Sequence, residues 1–198
     1  MAKKIMFSDK YGLTQAVLEG RKTQTRRIIP KDFFSLTWDK RDDTLVYENS
    51  MGDFIDIRNS KYALCKAGEI VAVAQSYRDC GGVNEEGIPM WEIISSKVGG
   101  TNAGWSNKMF VRAELMPHYV IITAVSVERL RDISDVDCMA EGIDYYEQEG
   151  FSWCSTEKLF DTPREAYAAL IDKVSGKGTW DSNPYVFVYD FELVKKWK

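Results

Sequence analysis

The sequence predicts an α+β protein, mostly β: a small mixed or antiparallel barrel with short helices closing its ends. Two observations predict it. Five to seven strand-like segments are scattered along 198 residues, separated by only three helical ones. They show no regular strand–helix–strand alternation, which a doubly wound parallel sheet would require. An apolar fraction of 44% is enough for a real core and excludes a disordered chain. The length suits one domain, residues 1–198, with an elaborated periphery.

The elements follow in chain order. "KKIMFS" (3–8) reads as a first short strand and "LTQAVLEG" (13–20) as a helix, its inner face carried by Leu13, Ala16 and Val17. Gly20 is placed to end that helix in the left-handed conformation. "TLVYEN" and "DFIDIRN" form a strand pair around the turn at 49–52, and "EIVAVAQSY" (69–77) is a compact Val- and Ala-rich strand. Residues 78–107, rich in glycine and asparagine, read as an inserted lobe over one end of the core. "HYVIITAVSVERL" (118–130) is the clearest strand. In the helix that follows, Ser134 and Asp137 make a capping pattern and Gly142 a stop. In "DTPREAYAALIDKVSG" (161–176), Thr162 is the N-cap, Pro163 the first helical residue and Glu165 the cap's partner. Ala166, Tyr167, Leu170, Ile171 and Val174 form its inner face, and Gly176 ends it. "YVFVYDFELV" (185–194) closes the chain as a strand, and the "KKWK" tail reads as frayed and solvated.

Composition narrows the functional classes. The net charge of −4 argues against a protein that coats nucleic acid nonspecifically, because such binding needs many cations. No apolar run is long enough for a membrane span, and "MAKKIMFSDK" lacks the apolar stretch of a signal peptide. A cytoplasmic location is expected, with Cys65, Cys80, Cys138 and Cys154 reduced. A single histidine, His118, excludes a zinc site built from imidazoles and any scheme needing two histidines. His118 reads as a packed or capping residue. No metal and no cofactor is expected.

One stretch breaks the acidic background. "GRKTQTRRIIPK" (20–31) holds Arg21, Lys22, Arg26, Arg27 and Lys31 with no acid among them. It is not a phosphate-binding P-loop, since Gln15 stands where that motif needs its first glycine. A solvated turn is one reading. In the other, the turn gathers Lys22, Thr25 and the guanidinium groups around a cleft. Neighbouring cations would then disfavour protonated Lys22 and lower its pKa. A neutral amine could take the proton of Thr25 and let its hydroxyl attack. A carboxylic acid from elsewhere would complete the proton transfers.

"LEGRKTQTRRI" resembles the opening signature of the ASCH family, small domains of the PUA-like β-barrel superfamily. "VERLRDISDVDCMAEGI" is similar to the family's strand and short helix ending in Glu-Gly, and "WDSNPYVFVYDFEL" to its closing strand. The matches spread from residue 5 to residue 193, and the chain resembles the long bacterial and phage form with a lobe inserted in the barrel. The resemblance implies a cleft lined by the opening motif. Small ASCH proteins include amidohydrolases that deacylate cytidine acetylated on its exocyclic amine, and other members are linked to RNA binding or cleavage. Carried over, the catalytic lysine falls on Lys22, the threonine on Thr25 and the glutamate on Glu141. Asp135 and Asp137 are the alternative carboxylates of the same helix. Arg21, Arg26, Arg27 and Arg112 would hold substrate, with Arg112 alternatively pairing with Glu114. Trp180 either stacks on a base or plugs the barrel end. Trp91 and Trp105 in the lobe would mark ligand or partner contact if exposed. The expected partner is RNA, a nucleotide or a modified nucleoside.

Overall fold

The structure, a computed structural model, describes residues 2–30, 36–39, 44–49, 51–84, 86–99, 102–146, 150–154 and 158–195. The tail beyond residue 195 lies outside them. The architecture is α+β and mostly β, with ten strands and five α-helices among the described residues. A five-stranded sheet is built from β1 (Lys4–Ile5), β2 (Gln24–Ile28), β6 (Ile70–Val73), β7 (His118–Arg129) and β10 (Tyr185–Lys195). Their order is β1-β6-β7-β10-β2, antiparallel except for the β1–β6 pair. β1 and β2 are the sheet's two edges, and no ladder among the described residues joins them. A side chain crosses that gap instead: Arg27 Nη2 donates to the Met6 carbonyl at 2.5 Å.

A second sheet of three strands, β3 (Leu36–Asp39), β4 (Thr44–Glu48) and β5 (Phe54–Asp56), lends Leu45 to the main core, with Ile57 following it. β8 (Asp144–Tyr146) and β9 (Gly150–Ser152) form a two-stranded ribbon. The helices are α1 (Leu13–Leu18), α2 (Met90–Val98), α3 (Asp135–Ala140), α4 (Pro163–Ser175) and α5 (Thr179–Ser182).

The caps read from sequence are in place. Gly20 and Gly142 have φ of +75° and +100°, Ser134 accepts from the Asp137 amide, and Thr162 accepts from the Glu165 amide. Two expectations need correction. Residues 24–28 are an edge strand and not part of a turn: backbone pairing with β10 decides their conformation despite four consecutive polar side chains. The 78–107 excursion contains α2, whose Ile94 is buried.

Strand alternation divides the core. Val71 and Val73 of β6 face the main core with Val17, Val120, Phe187 and Leu170. Ala72 and Ala74 face a second cluster with Tyr77, Ile94 and Met116, which seats the lobe. The lobe approaches closely at Gly104, where a β-carbon would lie 2.6 Å from the Tyr77 ring.

Candidate active site

The site begins with the way α1 stops. Gly20 turns the chain back, and the Arg21 and Lys22 amides both donate to the Ala16 carbonyl, at 2.9 and 3.0 Å. The next residue is pinned on two sides. Thr23 donates to the Ala140 carbonyl at the end of α3, and its carbonyl accepts from the Phe191 amide of β10. The β7–β10 register slips beside this point, between Asp190 and Phe191, leaving Thr123 as an extra residue in β7. Lys22 is thereby held between α3 and the sheet, 2% exposed.

Its amine meets the end of α3. Lys22 Nζ donates to Glu141 Oε2 at 2.5 Å and to the Glu141 carbonyl at 2.7 Å. An acid at a helix C-terminus is unfavourable alone, and the cation supplied by Lys22 compensates both the carboxylate and the helix end. Gly142 is suited to the turn that follows by its φ of +100°, which L side chains rarely adopt, and it packs beside Lys22.

Burial pushes the Lys22 pKa below its ordinary value, Glu141 opposes the shift, and Arg27 and Arg26 add to it. The sequence expectation had the direction, but desolvation and not the arginines is the chief cause. Arg26 is also buried, and it is fully engaged. Its Nε donates to Glu128 Oε1 at 2.8 Å and Nη1 to Glu141 Oε1 at 3.3 Å, with Asp137 Oδ2 3.7 Å from Nη2. Nη1 also donates to Gln24 Oε1. Burial pulls the Arg26 pKa down, and Glu141, Tyr167 and Glu128 raise it to a net upward shift. Burial raises the pKa of Glu128, against the pull of Arg26. Arg27 differs: its guanidinium stands 5.8 Å from the Phe7 ring centre, with no carboxylate salt bridge among the described residues.

These groups share a cavity of about 260 Å³. Its polar wall is Lys22, Thr25, Arg26, Arg27 and Glu141. The lining also includes Tyr167, Leu170, Ile171 and Val174 of α4, with Phe7 and Leu13. Val174, expected on the inner face, is 42% exposed.

The structure brings together Lys22, Thr25, Glu141, Arg26 and Arg27, and it places the other candidates elsewhere. Arg21 is exposed and pairs with Glu19 and Asp144. Arg112 is exposed on the lobe side, its amide donating to the Tyr77 hydroxyl. Trp180 packs edge-on against Tyr167 at 6.2 Å, outside the cavity lining. Asp137 supports Arg26 and Gln24, and Asp135 is exposed in the first turn of α3. His118 Nδ1 lies 2.9 Å from Gln75 Oε1, away from the cavity. Trp105 is half-buried against the lobe cluster and Trp91 is 47% exposed. Sequence reading missed Tyr167 as a lining residue, because helical periodicity marks an inner face without telling core from cavity.

Among the described residues no group of three or more His, Cys, Asp or Glu could hold a metal ion, and no helix is long and apolar enough to cross a membrane.

No family model matches the chain, and no curated protein matches it. Among solved structures, protein EF3133 from Enterococcus faecalis V583, described by the family model DUF984, is similar with a TM-score of 0.42 and 13% identity. The alignment covers 100% of this chain and 84% of that one. A likeness of that strength carries no argument about fold or function.

Proposed function

We propose that the protein is an ASCH-type member of the PUA-like superfamily that binds a modified nucleoside in this cavity and hydrolyses its exocyclic amide. The observation that carries the reading is the convergence of Lys22, Thr25 and Glu141 on one cavity, with the lysine amine buried against the carboxylate. A second observation supports the family. The three segments that resemble it, far apart in sequence, are neighbours here: β2 pairs with β10 and β10 with β7, and Thr23 bonds to α3.

A buried ion pair can relax by moving its proton, and an apolar surrounding favours the uncharged partners. In this mechanism the proton of the pair passes from Lys22 to Glu141 as substrate fills the cavity, which leaves the base and the acid that amide hydrolysis needs. Thr25 Oγ1 attacks the acyl carbon and its proton passes to Lys22 Nζ. As the carbon–nitrogen bond breaks, Glu141 delivers its proton to the leaving amine, which departs as cytidine. Water then attacks the acyl-threonine ester and gives its proton to Glu141, while Lys22 returns a proton to the Thr25 oxygen. The acid is released, and both groups are reset.

Arg27 favours a second reading, a binding module for RNA or a nucleotide, because its guanidinium lines the cavity without a carboxylate partner among the described residues. Lys22 and Arg26 weigh against it, since carboxylates already engage both.

The test is incubation with acetylated cytidine, followed by ultraviolet absorbance and chromatography, beside Lys22→Ala and Lys22→Arg. Hydrolysis predicts turnover that falls at least about 100-fold in both variants, since arginine stays protonated. No turnover by the folded wild-type protein, with RNA affinity that drops steeply with salt, would give the binding module instead.

A further inference from the structure

Two polar atoms of cavity-lining side chains have no hydrogen-bond partner among the described residues: the Tyr167 hydroxyl and Arg27 Nε. They come from two different elements, Tyr167 from α4 and Arg27 from β2. Tyr167 is 2% exposed, and Trp180 lies edge-on against its ring at an interplanar angle of 78°, so the ring is held in place. A buried hydroxyl without a partner costs free energy that a phenylalanine at the same position would avoid. The polar donors face a chemistry that is not strongly cationic. Glu141, Glu128 and Asp137 compensate Lys22 and Arg26, so a phosphate would meet Arg27 alone. Beside the donors, Leu170 and Ile171 present an aliphatic surface.

We infer that Tyr167 O–H and Arg27 Nε–H are the cavity's acceptor-binding pair, donating to the acyl carbonyl oxygen of an uncharged amide whose acyl group lies against Leu170 and Ile171. This rests on the hydrolase reading and adds a recognition role to it. Neutral phenol and planar guanidinium both suit a carbonyl oxygen, and both gain strength as negative charge grows on that oxygen during attack.

Calorimetry on Thr25→Ala, which keeps the Lys22–Glu141 pair but has no nucleophile, tests the assignment with acetylated cytidine and with cytidine as probes. Adding Tyr167→Phe is expected to weaken acetylated cytidine about five- to tenfold, the worth of one hydrogen bond, and to leave cytidine unchanged. The melting temperature should hold or rise, because the substitution removes an unpartnered hydroxyl. Equal affinity for acetylated cytidine with and without Tyr167→Phe overturns the assignment and leaves the hydrolase reading standing. Equal weakening of both probes also overturns it. Absence of binding by Thr25→Ala, with no turnover by the wild type, overturns the reading and the assignment together.

Discussion

The polar wall of the cavity and the core of the lobe are both buried, and they are made of opposite chemistry. Lys22, Arg26 and Glu141 fill the first; Tyr77, Ile94 and Met116 fill the second, seated on the small side chains of Ala72 and Ala74. Each fully buried apolar side chain in the lobe contributes roughly 1.5–3 kcal/mol. The ion cluster is different. Desolvating its charges costs about as much as their attraction returns, so stability alone gives no reason to keep it. The difference separates two roles: the lobe stabilises, and the cluster is where we propose the reaction.

Substitutions separate the two. The largest effect is expected at Glu141→Gln, which removes the acid and should cost turnover by roughly 100- to 10,000-fold in a deacetylation assay. Lys22→Met with Glu141→Leu sharpens the contrast. The double variant should be inactive, yet unfold in urea at the wild-type midpoint or later, by up to about 4 kcal/mol. Ile94→Ala should do the reverse, losing roughly 2–5 kcal/mol of stability while turnover per folded molecule stays at the wild-type rate. Gly104→Ala forces a methyl against the Tyr77 ring and should cost about 1–3 kcal/mol, again without touching turnover.

The smallest effect is on pH. Burial lowers the His118 pKa below its ordinary 6.5. Below pH 6.5 the unfolded chain therefore binds more protons than the folded one. Stability is complete above that pH and falls as the pH drops toward the folded value, by at most about 1.4 kcal/mol per pH unit. Urea titrations of wild type and His118→Gln between pH 7 and 5 should show a slope in the first that is flattened in the second.

Where local signals are strong the sequence was legible. Thr162, Pro163 and Gly176 bound α4 as capping chemistry requires, and Gly20 and Gly142 occupy the left-handed positions their turns need. β2 was not legible, because Gln24, Thr25, Arg26 and Arg27 offer no apolar alternation and only the ladder to β10 makes them a strand. α2 was hidden by the glycine and asparagine on either side of it. At the site, Lys22 and Thr25 were marked by residue type within a motif, and Glu141 by resemblance. Tyr167 needed the third dimension, since a helix face looks the same in sequence whether it meets a core or a cavity. Arg21, Arg112 and Trp180 were drawn in by charge and aromaticity, which say nothing of direction.

The central claim is that Lys22 is a buried amine whose proton is easily lost. Direct titration by NMR, with lysine labelled at the ε-carbon and Lys22→Arg to assign the signal, tests it without any substrate. The expected result is a Lys22 resonance that titrates below the ordinary lysine value of 10.5 while the exposed lysines titrate near it. A Lys22 signal that titrates at or above 10.5 would contradict it, leaving a permanently charged structural pair in place of a base.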